Sequence, residues 1–221
     1  MDVVMEKKKR VVSLPNYSLS EELFNAISHG LGALLGLAAL ILMLIKARGA
    51  SAVVSVSLFG LTMIQLYTIS CIYHALSPRL KGTKVLRVID HCNVYLLVLG
   101  TYIPVSLLGV GGVRGWILLG LVLVFSTLGI TFTAIDVDRY QLVSVICHLF
   151  SGWSILFGVR ALLGSMGVPG LTWLVLGGVM YTIGSVLYGL GKRKKYRHCV
   201  FHVFCLLGTF CHFWSVYAYL L

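Results

Sequence analysis

The sequence predicts an all-α membrane protein, a seven-transmembrane helix bundle with its N-terminus in the cytoplasm and its C-terminus outside. Three observations carry this. Hydrophobic residues fill 58% of 221 positions and charged residues 11%, against roughly 25% charged in an average soluble domain. The apolar residues gather into runs that each approach the ~20 residues a helix needs to cross ~30 Å of hydrocarbon. The runs are parted by short polar separators, and most Lys and Arg fall on alternate ones.

In chain order, residues 1–20 read as a short cytoplasmic tail and residues 21–221 as a single seven-helix transmembrane domain. The basic run at 7–10 is followed by Pro15, Asn16, Glu21 and Glu22 rather than by an apolar stretch with a small-residue cleavage site, which argues against a cleavable signal peptide. The expected spans are 23–45, 51–77, 85–109, 113–134, 141–163, 170–190 and 199–221. Between them lie Lys46 to Gly49, Pro78 to Lys84, Gly109 to Arg114, Asp136 to Arg139, Gly164 to Gly170 and Gly191 to Arg197. Connections this short make consecutive helices antiparallel neighbours in one bundle. Gly30, Gly32 and Gly36 on the first span, and Gly177, Gly178 and Gly184 on the sixth, read as small packing residues that let backbones approach.

Charge sets the orientation. Lys46, Arg48, Arg114 and Arg160 fall on one side, and the remaining fourteen of 18 Lys and Arg on the other. The basic side is expected to be cytoplasmic, in a multi-pass protein of the bacterial plasma (inner) membrane. The net charge of +11 is therefore an orientation signal, and no exposed domain is left to carry a nucleic-acid surface. Cys71, Cys92, Cys147, Cys199, Cys205 and Cys211 sit in or beside apolar spans with no CxxC pair, so they read as small buried hydrophobes rather than a disulfide framework.

This topology places the unusual residues at one depth. His29 opens the first span, Ser70 and His74 close the second, Asp90 and His91 lie near the start of the third, and His198 and His202 open the seventh. All fall in the cytoplasmic half. An Asp at mid-helix costs roughly 2.5 to 3.5 kcal/mol on insertion scales, so several helices placing such groups together points to function. His198 and His202 are an i,i+4 pair on one helix face. With His74 they make three imidazole ligands that leave a fourth position open, the arrangement of a catalytic Zn2+ site. Asp90 is then a candidate general base for a water, and Ser70, one turn before His74, a hydrogen-bond donor to that water or to a carbonyl oxygen. The expected chemistry is hydrolysis at the inner membrane surface, with a membrane lipid as substrate or ligand.

Glu22, Asn25 and His29 sit at the right end of the first span to support the ligands, or to fix that span against the seventh. His91 points some 100° away from Asp90 around the helix and is left out of the metal shell. His148 and His212 read first as packing residues, and Asp136 and Asp138 as solvated turn charges.

These residues bring the chain to a known pattern. Glu22-x-x-Asn25-x-x-Ser28-His29, Ser70-x-x-x-His74 followed by Asp90, and His198-x-x-x-His202 with His212 resemble the hemolysin III family, within the progestin and adipoQ receptor superfamily. Alkaline ceramidases are distantly similar to that superfamily. The resemblance runs from Glu22 to Tyr219. It implies zinc on His74, His198 and His202, with Asp90 holding a water and Ser70 beside it. The chain lacks the soluble N-terminal domain of the animal receptors and looks like the short bacterial branch. The functions it suggests are a zinc-dependent, ceramidase-like hydrolase of a lipid amide or ester serving membrane lipid homeostasis, a membrane-permeabilising protein as the hemolysin III name implies, or a lipid sensor without turnover.

Overall fold

The computed structural model describes residues 14–15, 17–77, 80–190 and 195–221. The basic run at 7–10, most of the 1–20 tail, Arg79 and Lys192 to Lys194, on which the orientation reading leans, lie outside the described residues. The helices are α1 (Leu19–Lys46), α2 (Ala50–Ala75), α3 (Lys81–Pro104), α4 (Gly112–Ile135), α5 (Gln141–Trp153), α6 (Val159–Leu190) and α7 (Arg197–Tyr219). There is no β-strand among the described residues. Six helical stretches are long and apolar enough to cross a membrane, and α5 is the shorter exception.

The burial pattern is the reverse of a soluble protein's. Leu34, Ile45, Trp116 and Phe157 are 67%, 68%, 64% and 82% exposed, whereas Asn25, Ser106, Ser126 and Ser215 are 0% exposed. Water would penalise that arrangement. A bilayer requires it, because helices satisfy their own backbone groups and can then turn apolar faces outward.

α1 shows how sequence spacing produces this. Ser18 caps it through a capping box: its hydroxyl accepts from the Glu21 backbone N–H, and the Glu21 carboxylate accepts from the Ser18 N–H at 2.9 Å. Its buried residues are Glu21, Asn25, His29, Gly32, Gly36, Ala39 and Met43, a single stripe at intervals of three and four that faces the bundle. α1 packs on α2 and α7, each later helix through α5 packs on the one before, and α6 packs on α7. The result is a ring of helices, with its thinnest seam between α5 and α6.

α3 continues past Pro104 as a π-helical turn over Val105–Val110, where Gly111 N–H donates to Ser106 O across five residues. Pro104 cannot supply the ordinary bond, and the shifted register is the local response. The expected span 141–163 is broken where the apolar run gave no sign of it. α5 ends at Trp153, a 3-10 turn covers Ser154–Phe157, and the Tyr102 hydroxyl accepts the Ile155 N–H at 2.8 Å. The expected separator at 164–170 appears inside α6, which is two helices meeting at Gly167 with φ 65° and ψ −177°. The chain doubles back there: Trp153 Nε1 donates to Thr182 Oγ1 at 3.0 Å, and the His148 ring lies beside that of Tyr181.

The two ends of the bundle differ in chemistry. Met43, Phe59, Met63, Leu118, Leu162 and Val216 build a close-packed apolar core toward the end where α1 finishes and α4 begins. The opposite half, where α1 starts, α2 ends and α7 starts, buries Glu21, Asn25, His29, Ser70, His74 and His202.

Candidate metal centre

The last turn of α2 carries His74, and the first turns of α7 carry His198 and His202. Their Nε2 atoms converge: His74 to His198 is 3.3 Å, and His198 to His202 is 3.0 Å. All three ligand atoms lie within 4.8 Å of one another. Bonds of ~2.0–2.1 Å in a tetrahedron put ligand nitrogens about 3.3 Å apart, so these three imidazoles fit a zinc-sized ion. The group can hold a metal ion, as its spacing in the sequence implied.

The surrounding residues orient the rings. Glu22 Oε2 lies 2.6 Å from His74 Nδ1, which directs the proton to Nδ1 and leaves Nε2 as the ligand atom. The His29 ring stacks on His202 with centroids 3.6 Å apart and planes at 15°. Asn25 is wholly buried one turn earlier on α1, and neither its side-chain atoms nor the His29 ring nitrogens have a hydrogen-bond partner among the described residues.

Two contacts at this end were not anticipated. Glu21 Oε1 accepts the Tyr196 N–H at 2.6 Å, and Tyr196 adopts a left-handed φ of 61° at the head of α7. Glu21 thus ties the start of α1 to the residue that starts α7, and so fixes where His198 begins. The Ser18-x-x-Glu21 pattern could have announced the cap but not the bond to Tyr196. Tyr17 stacks on His198 with centroids 5.0 Å apart at 14°, covering that ligand from the chain segment before α1. Burial pushes the Tyr17 phenol above its usual range, so it covers the site as a neutral ring. No spacing rule pointed to it.

Asp90 and Ser70 line the same cavity as His29 and His202, whose walls are otherwise mostly apolar. Asp90 also lines a neighbouring space, bounded by Ser144 and Val145 on α5 and by Ser185 and Tyr188 on α6. Arg87 holds Asp138 through two bonds of 3.0 and 2.9 Å, so Asp138 is an anchor between α3 and the α4–α5 turn rather than a solvated charge. Asp136 caps that turn, accepting from the Asp138 and Arg139 N–H groups. His91 is engaged elsewhere, with Nδ1 2.7 Å from Arg87 O and Nε2 2.8 Å from the Tyr188 hydroxyl. His148 and His212, read first as packing residues, both line the cavity that Asp90 shares with Ser70.

Comparison with known proteins gives a consistent picture. The family model for "Haemolysin-III related" proteins matches residues 17–213. The chain is 34% identical over 206 residues to Hemolysin-3 of Bacillus cereus, covering 92% of this chain and 93% of that one. It is also 34% identical over 206 residues to the Hemolysin-3 homolog of Bacillus subtilis (strain 168), covering 92% and 96% respectively.

Proposed function

Because the chain belongs to the Haemolysin-III related family, and is a multi-pass integral membrane protein of that bacterial family, we propose that it is a zinc-dependent hydrolase of a lipid amide or ester. The observation that carries this is the convergence of three Nε2 atoms beside a cavity that also holds Asp90 and Ser70. Zinc bound there supplies Lewis acidity and lowers the pKa of water toward ~7. Asp90, which lines the cavity, takes the proton of the attacking water, and neighbouring Arg87 holds Asp138. Ser70 donates a hydrogen bond to the carbonyl oxygen as charge develops on it. Glu22, Asn25 and His29 hold the ligand rings in place.

The reading includes seven crossings with the N-terminus inside. The Arg87–Asp138 pair and the His74–His198 contact support the starts of α3, α5 and α7 lying at one end. An even number of crossings between them fits that arrangement. Residues 141–166 and 168–190, joined at Gly167, are the two crossings of this reading. The excess of Lys and Arg at the histidine end supports a cytoplasmic site.

Purified protein incubated with an N-acyl lipid in micelles should release fatty acid, and Asp90→Asn should abolish release while retaining metal. Undiminished release from that variant removes Asp90 from the chemistry. A second reading follows the name of the relatives, Hemolysin-3: membrane permeabilisation. It requires dye leakage from liposomes at low protein density, indifferent to His202→Ala. A third, a lipid sensor, requires ligand-induced stabilisation without product.

A further inference from the structure

The cavity that Asp90 and Ser70 share with His202 has a second polar end that the hydrolytic reading leaves without a task. From His202 its walls continue past Val94, Leu97 and Leu149 to His148, Tyr181 and His212. His202 and His212 are ten residues apart on α7, which separates the two ends by roughly 15 Å along the helix axis.

Nearly every polar group at this far end is satisfied by the protein. The Tyr181 hydroxyl bonds Thr209 Oγ1 at 2.5 Å, and the Trp153 indole donates to Thr182, whose own hydroxyl donates to Gly178 O. The Tyr102 hydroxyl donates to Gly152 O and accepts from Ile155, and Thr101 donates to Leu97 O. The exceptions are His148 Nδ1 and His212 Nδ1, both buried and without a partner among the described residues. The His148 ring meets the ring of Tyr181 edge-on and the His212 ring meets it at a tilt, with centroids 6.4 and 5.4 Å from it.

The chemistry of His212 is constrained further. Its Nε2 is 3.1 Å from Leu174 O, and a carbonyl can only accept, so the proton sits on Nε2 and Nδ1 is a bare acceptor. The same ring edge is pressed against Gly177, where a Cβ would have no room, which fixes the ring in place. A bare acceptor in an apolar-walled cavity calls for an uncharged donor. A carboxylate has no proton to give, and an alkyl chain has neither donor nor acceptor. A hydroxyl donates to Nδ1, and His148, whose tautomer no contact among the described residues fixes, lines the same cavity.

We propose that the His148–His212 end of the cavity binds a hydroxyl borne on the chain of a lipid whose amide or ester carbonyl lies at the histidine centre. This rests on the reading of the cavity as a lipid site and narrows it to hydroxylated chains. The selectivity lies in binding, so it is measurable without turnover.

The test is a set of N-acyl amides of one chain length, unsubstituted or carrying a single hydroxyl at successive positions. Binding is read as the rise in unfolding temperature of the purified wild-type protein in detergent with increasing ligand. The expected result is a maximum where the hydroxyl sits roughly 15 Å from the carbonyl, with affinity about tenfold above that of the unsubstituted amide. The maximum should disappear in His212→Leu and in His148→Leu, while the unsubstituted amide binds as before. Equal binding of all positions by wild type, as expected if only water occupies this end, overturns the proposal without needing any variant. So does a maximum that survives in both variants. If no amide binds at all, the lipid reading of the cavity fails with it, whereas flat but measurable binding removes only the hydroxyl site.

Discussion

At His74 a single carboxylate decides what the ring can do. Glu22 Oε2 at 2.6 Å from Nδ1 commits the other nitrogen to the centre it shares with His198 and His202. Glu22→Gln keeps the shape and removes the charge, and is expected to lower zinc affinity by about 10–100-fold, measured by competition with a chelator of known affinity. An unchanged affinity would show that Glu22 only packs. The three ligands were legible in the sequence because an i,i+4 pair has only one geometry on a helix, and because the positive-inside count supplied a common depth for His74. Glu22 itself was legible as a neighbour but not as the partner of a particular nitrogen. Tyr17 and the Glu21–Tyr196 bond were not legible, since both depend on the path of chain outside the helices. Asp138 read as a solvated turn charge for a similar reason: its partner Arg87 is 51 residues away, on a helix that only the fold brings to that turn.

Elements were easier to find than their interruptions. An apolar run looks the same whether its helix is straight or broken, so 141–163 read as one span. The break after Trp153 answers to the Tyr102 hydroxyl, a tertiary contact that no local pattern encodes. The reversal at Gly167, by contrast, fell inside the separator expected at 164–170, where glycines and a proline concentrate. Its φ of 65° with ψ of −177° is a region open in practice to glycine alone, whereas Gly164 lies in helix with open space around its would-be Cβ. Gly167→Ala should therefore cost about 1–3 kcal/mol, read as a lowered unfolding midpoint in detergent, while Gly164→Ala leaves the midpoint near wild type. Equal midpoints for the two would deny Gly167 its special backbone. Tight packing makes a second element-scale prediction. A Cβ at Gly129 on α4 would run into the Tyr95 ring on α3, so Gly129→Val should destabilise by about 1–3 kcal/mol in the same assay.

Across the whole molecule, an apolar core fills one half of the ring and polar groups fill the other, and this division makes the histidine end a site. Composition revealed the membrane class directly, because a chain 58% hydrophobic that exposes Trp116 and Phe157 has no stable arrangement in water. The proposed sidedness is testable in intact cells: a C-terminal tag should be cut by external protease and an N-terminal tag protected, and the reverse pattern would place the centre on the outer face. Everything proposed for Asp90, Ser70 and the cavity depends on an ion at the three imidazoles. The most direct measurement is metal content of the purified protein and of His202→Ala, matched for folded fraction. One zinc per wild-type chain and none in the variant is the expected result; wild-type protein free of metal, or a variant that keeps its zinc, would contradict a metal centre at these histidines.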